Sequence, residues 1–292
     1  MDTLVRAVAQ DGRTRALAVV TTGTVEEARR RHDTLPTATA ALGRGLTGAV
    51  LIGATLKAGS TATLRIIGDG PLGGLIADST AEAGVRGYVA NPQVDLPPTP
   101  ARKLSVGAAV GRGTLHVTKD MGLRHPYHSS VPLRSGEIGE DLAYYFASSE
   151  QVPSAVALGV LVAPSGRVLA SGGLLIQVLP GTADDVIAYL DRRTRALPAI
   201  TTLVNDGMRP TDILQEACGD LALQFVDEMP VRFQCRCSRD KVKGVLLGLG
   251  AREVRQILAE QGRAEVHCRF CGERYEVGDA ELREMLDGQD AG

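Results

Sequence analysis

Four of the five cysteines in this 292-residue chain lie between positions 235 and 271, as Cys235-Arg-Cys237 and Cys268-Arg-Phe-Cys271, with 30 residues between the two pairs. Thiolates are soft ligands, and two short-spaced pairs on separate turns supply the closed tetrahedral shell that zinc takes in structural sites. Gly272, directly after the last cysteine, permits a tight turn that aims backbone amides at sulfur. One zinc per chain is therefore expected in the reduced state, held by Cys235, Cys237, Cys268 and Cys271. His267 would make a fifth ligand and is read as a surface or strand residue.

The spacing also bears on what such a site is for. Cysteines two apart close a disulfide only through a small strained ring, and strained disulfides are the labile, regulatory kind. A site that only holds a fold usually has C-x-x-C on both sides, so the C-x-C half favours a reversible thiol switch. On oxidation the four residues are expected to become redox-switch disulfides between neighbours, Cys235 with Cys237 and Cys268 with Cys271, because those sulfurs already meet at the metal. Cys218, in LQEACGDLALQF, has no partner nearby in sequence and reads as a buried apolar cysteine.

Other constellations carry less. Gly68-Asp-Gly70-Pro-Leu-Gly73 fits the dinucleotide pattern G-x-G-x-x-G, but the residues after Gly73 are strand-like, and a phosphate loop without its helix N-terminus is better read as a hairpin turn. His125, His128, Ser129 and Ser130 evoke a hydrolase fragment, yet no G-x-S-x-G elbow occurs, and a polar loop is expected. Glu137, Glu140 and Asp141 suit the first turns of a helix, where the dipole favours acids. No catalytic residue emerges, and the chain is not expected to be an enzyme.

The elements that must position the cysteines fall into three stretches. Up to residue 179, short strand-like runs (ATLRIIG, GGLIAD, VRGYVA, KLSVGAAV, GTLHVTKD) alternate with a few helices. Thr24 is placed to cap one helix and Pro36 to open a buried one rich in small residues, and a third spans 137–149. AVALGVLVA and VLASGGLLIQVL flank Pro164-Ser165-Gly166 as a hairpin. Residues 180–230 read as short helices broken by prolines and glycines, with nine acids against four arginines, a net of −5. Helices that short need docking to persist, so this linker should be the easiest part to unfold. Residues 231–292 hold the cysteine pairs, with helices at 239–249, 251–261 and from about 279.

Composition sets the limits. The chain is 44% hydrophobic with a net charge of −2, enough for a sizeable core and without a basic grip on nucleic acid or anionic membranes. Eleven basic and eleven acidic residues cancel within 231–292, which argues against a zinc-stabilised nucleic-acid module. A thiol-disulfide oxidoreductase is the other alternative, but the βαβ setting around the cysteine pair is missing. No secretory signal is read in the first residues, and a cytoplasmic location is expected.

Along nearly its whole length the sequence resembles the heat-shock protein 33 family. The stretches that carry the resemblance are GTLHVTKDMG (113–122), VPLRSGEIGEDLAYYFASSEQVPSAVALGVLV (131–162), ASGGLLIQVLPG (170–181), RPTDIL (209–214), FQCRCSRDKV and VHCRFCGERYEV. The resemblance implies an α+β fold: an N-terminal mixed α/β domain with a β-sheet core (1–179), a metastable helical linker (180–230) and a small C-terminal zinc-binding domain (231–292). It implies a redox-regulated, ATP-independent holdase that captures unfolding client proteins, forms a homodimer on activation and hands clients to ATP-dependent chaperones. The four zinc ligands carry over onto Cys235, Cys237, Cys268 and Cys271; Cys218 matches no motif.

Overall fold

The structure, a computed structural model, describes residues 1–10 and 12–290, with side chains described for all of these except 288–290. It forms two compact units, Met1–Gln234 and Cys235–Gly292. In chain order the first contains β1 (Thr3–Ala9), β2 (Thr14–Val20), α1 (Thr22–His32), α2 (Pro36–Gly53), β3 (Thr61–Gly68), β4 (Leu75–Thr80), β5 (Gly84–Val89), α3 (Val106–Val110), β6 (Gly113–Asp120) and β7 (Tyr127–Pro132). There follow α4 (Gly139–Ser148), β8 (Ser154–Val162), β9 (Val168–Val178), α5 (Asp184–Ala196), α6 (Ile200–Asn205), α7 (Pro210–Cys218), β10 (Leu223–Pro230) and β11 (Arg232–Phe233).

Two sheets carry this unit, one ordered β10-β1-β2-β9-β8 and the other β11-β5-β4-β3-β6-β7. Helix α2 lies between them, touching β2, β8 and β9 on one side and β3, β4 and β5 on the other. Pro36 starts it at a position where the missing amide costs nothing, and its small residues bring the sheets close. A Cβ on Gly45 would lie 2.5 Å from Leu75 Cδ2, so any larger residue there would have to displace the Leu75 side chain. The interior around α2 includes Leu17, Leu42, Leu46, Leu64, Leu142, Tyr145 and Phe146, all essentially inaccessible. As expected, the Thr37–Leu56 stretch forms a core helix, which ends at Gly53, and among the described residues no helix is long and apolar enough to cross a membrane.

Several local readings change once tertiary contacts are in place. KLSVGAAV, expected as a strand, ends in the short helix α3, whose backbone packs on the β3–β4 turn. A Cβ on Gly68 or Gly70 would strike the carbonyls of Val110 and Ala109 at 2.0 and 2.4 Å, so these glycines admit a backbone rather than a phosphate. His128, Ser129 and Ser130, expected in a polar loop, lie on edge strand β7, where His128 Nδ1 bonds Thr118 Oγ1 at 2.9 Å. The acids near α4 are structural. Buried Asp141 accepts the amides of Arg134, Ser135 and Ile138, and Glu137 pairs with Arg44 and accepts the Gly107 amide.

Helices α5–α7 form within the stretch read as short helices. Their apolar side chains, Leu190, Ile200, Leu203, Ile213, Leu214 and Ala217, cover the face of the first sheet opposite α2 and bury Val5, Ala7, Ala16, Ala18, Leu174 and Ile176. The last part of that stretch differs from the helical reading: residues 223–230 are strand β10, paired antiparallel with β1 from Thr3↔Pro230 to Ala9↔Leu223 with a bulge between Arg6 and Ala7. A free edge of the sheet outweighs the weak local preference of LQFVDEMP. Arg6 holds this pairing with a two-point bond to Asp227, its Nε to Oδ1 contact being 2.8 Å.

The second unit comprises α8 (Arg239–Gly248), α9 (Ala251–Gln261), β12 (Arg263–His267), β13 (Arg274–Gly278) and α10 (Asp279–Asp290). The three helices match the expected positions. Its core is small: Val242, Leu246, Val254, Ala264, Val277, Leu282, Met285 and Leu286.

Candidate metal centre

The two cysteine pairs reach one point by different routes. Cys268 and Cys271 sit on the turn between β12 and β13, an antiparallel hairpin in register from Arg263↔Gly278 to His267↔Arg274. The turn is closed by the Cys268 amide on the Glu273 carbonyl (2.9 Å) and the Gly272 amide on the Cys268 carbonyl (2.8 Å). Gly272 has φ 72, a conformation that a side chain would resist. Cys235 and Cys237 lie on the extended segment ahead of α8, whose N-cap Ser238 accepts the Lys241 amide at 3.3 Å. Arg239, at the start of α8, bonds both Glu281 and the Glu276 carbonyl. That guanidinium, with Lys243 beside it, holds the Glu281 carboxyl well below the usual range, at about 2.

The four sulfurs all lie within 4.8 Å of one another. Four sulfurs around one zinc at about 2.3 Å would stand about 3.8 Å apart, so the cluster has the right size for a tetrahedral thiolate shell. All four donors are sulfur, which suits zinc and excludes the hard cations that want oxygen. Two of the approaches run across the pairs, Cys235 to Cys268 at 3.6 Å and Cys237 to Cys271 at 3.4 Å. Burial pushes the Cys268 and Cys271 thiols up, while the amides of Phe270 and Glu273, donating to those sulfurs, pull the other way. Desolvated thiols resist becoming anions together, and a bound cation is what removes that resistance.

His267 stays outside the cluster, half exposed, with Nε2 2.9 Å from Glu265 Oε1. Cys218 is fully buried on α7, where desolvation pushes its thiol up to about 11. One contributor escaped the sequence reading: the Tyr275 hydroxyl donates to Cys237 Sγ at 3.1 Å, and that bond pushes its phenol up. The C-x-x-C pair sits on a hairpin turn rather than at a helix N-terminus, the setting that lowers a thiol's pKa in disulfide oxidoreductases.

Comparison with known proteins places this geometry in context. The family model described as "Hsp33 protein" matches residues 2–278. A "33 kDa chaperonin" of Desulforamulus reducens is 50% identical over 285 residues, covering 98% of this chain and 97% of the relative. One of Geobacillus kaustophilus is 46% identical, with 97% of each chain covered. Among solved structures, the crystal structure of the 33 kDa chaperonin (heat shock protein 33 homolog) from Thermotoga maritima superposes with a TM-score of 0.93 at 39% identity, covering 100% of this chain and 99% of the other.

Proposed function

The chain belongs to the Hsp33 family, and on that premise we propose that it is a redox-regulated, ATP-independent holdase chaperone of the cytoplasm, switched by Cys235, Cys237, Cys268 and Cys271. The observation that carries this reading is the gathering of four sulfurs within 4.8 Å in a unit with a very small core. When bound there, zinc would supply a four-point crosslink worth on the order of 10–16 kcal/mol to a structural site of this kind. A unit of this size cannot replace such a contribution with apolar burial. Oxidation of the thiolates would therefore unfold the zinc domain, 231–292.

The linker, 180–230, then keeps only its docking on the first sheet and its pairing with β1. Its helices α5–α7 are too short to persist except by docking, so its melting would uncover Val5, Ala7, Ala16, Ala18, Leu174 and Ile176 on the sheet of the core domain, 1–179. An apolar sheet face of this kind binds unfolding chains through the same effect that buries it in the reduced protein. Neighbour disulfides, Cys235 with Cys237 and Cys268 with Cys271, fit this sequence of events. Residues two or three apart stay close as the unit unfolds, while partners more than thirty apart separate. Homodimerisation of the active form and hand-over of clients to ATP-dependent chaperones complete the reading.

Light scattering from a thermally unfolding client tests it. Peroxide-oxidised protein should suppress aggregation near stoichiometric amounts without ATP, the reduced zinc-loaded protein should not, and a thiol reductant should restore the inactive form. Equal suppression by both forms would overturn the redox switch. Insulin-reduction activity above background would instead favour an oxidoreductase.

A further inference from the structure

The sulfurs of the cluster are not equivalently supported. Cys268 and Cys271 receive the amides of their own turn, from Phe270 and Glu273. Cys237 receives a side-chain hydroxyl from the opposite half of the site, across 38 residues of sequence. Strand alternation explains how it arrives there. Tyr275 and Val277 share one face of β13, and the fully buried Val277 fixes that face on the core of the unit. The Tyr275 ring packs on the same core, half-buried, and its hydroxyl projects to Cys237. Backbone donors cannot be deleted by substitution, whereas this one can.

We propose that Tyr275 is a positioning residue that restrains the reactivity of Cys237, so that its hydroxyl sets how readily oxidant opens the site. The inference rests on the redox-switch reading above. An O–H donor draws electron density from a thiolate, and the thiolate is the nucleophile toward peroxide. In that reaction the Cys237 sulfur attacks one peroxide oxygen, the O–O bond breaks, and hydroxide leaves and takes up a proton as water. The resulting sulfenic acid is displaced by the Cys235 thiolate, forming the S–S bond and releasing hydroxide, so two thiolates lose two electrons to one peroxide. A donor on Cys237 slows the first attack. It also joins the C-x-C segment to β13, so that the sulfur is held as well as damped.

The test uses the zinc-loaded full chain and Tyr275→Phe, which keeps the ring packing and removes only the hydroxyl. At fixed hydrogen peroxide, zinc release to a chromogenic chelator should run on the order of threefold to tenfold faster in the variant, the size of one ordinary net hydrogen bond. With limiting N-ethylmaleimide, peptide mapping should show Cys237 labelled earlier relative to Cys268 and Cys271 in the variant. Equal zinc content and an unchanged thermal midpoint would show that the fold is intact. Release rates within twofold of each other together with an unchanged labelling order would overturn the inference. If peroxide freed no zinc from the unsubstituted chain, the switch reading would fail, and the labelling order would still decide the role of Tyr275.

Discussion

Five cysteines in one chain divide cleanly by environment. Cys218 lies in an apolar setting that raises its thiol to about 11, so at neutral pH it is protonated and a poor nucleophile. The other four gather in one cluster, where burial raises the thiols of Cys268 and Cys271. In reduced, zinc-loaded protein at pH 7, Cys218 should resist iodoacetamide, and chelation should open Cys235, Cys237, Cys268 and Cys271 to labelling while Cys218 stays slow. Cys271→Ser should lose most zinc, and Cys218→Ala should keep one zinc per chain; retention by the first or loss by the second, measured by metal analysis, would contradict the assignment. The cluster of four sulfurs was legible because paired cysteines leave their spacing in the sequence. Tyr275 was not, because its contact exists only once the hairpin has brought β13 to a segment 38 residues earlier. Asp141 was legible only as a helix-start acid; that it gathers three amides depends on the loop before α4 folding back.

At the scale of elements, β10 shows where local pattern gives way to context. Its side chains are mostly exposed, so no strong alternation marks LQFVDEMP, and a strand forms because β1 offers an edge. The clearest anchor is Arg6 with Asp227, whose carboxyl is held below its ordinary range first by the Arg6 hydrogen bond. Because the folded value is depressed, the pair stabilises β10 above the unfolded carboxylate value of about 4, and that stabilisation is lost as pH falls through the folded value. Both partners are roughly a third exposed, so solvent screening limits the contribution to about 1 kcal/mol or less. Asp227→Asn should lower amide protection factors across 223–230 by a few-fold at pH 6 and leave α2 unchanged. The difference between the two proteins should close as pH falls well below 4; a difference that persists at low pH would mean that the charge is not what anchors the strand. By contrast α2, α4 and the β8–β9 hairpin were readable from sequence, since proline, glycine and apolar period all agreed there.

For the molecule as a whole, the question is which parts depend on which. The interior around α2 is closed by two sheets and draws nothing from residues 180–222, whereas the cluster on the far side of the first sheet is shared between strands and α5–α7. Strand β9 hints at this in sequence: LASGGLLIQV does not alternate, as expected of a strand covered on both faces, though the identity of the cover is invisible until the chain is folded. The segment that ends the first unit is tied down by backbone bonds, Val231 to the Asp2 carbonyl at 3.1 Å and Gln234 to the Val85 carbonyl at 2.7 Å, and the next residue is Cys235. Losing the metal from a unit with so small a core should therefore release structure in order of dependence. On peroxide treatment under mild heat, hydrogen exchange should rise across 180–292, most in the zinc unit, while α2 and the strands against it within 1–179 keep their protection. A chain truncated before residue 231 should show raised exchange in 180–230 without any oxidant and suppress client aggregation in part. If the oxidised protein holds clients while α5–α7 and β10 exchange as slowly as in the reduced form, client binding does not depend on melting the linker.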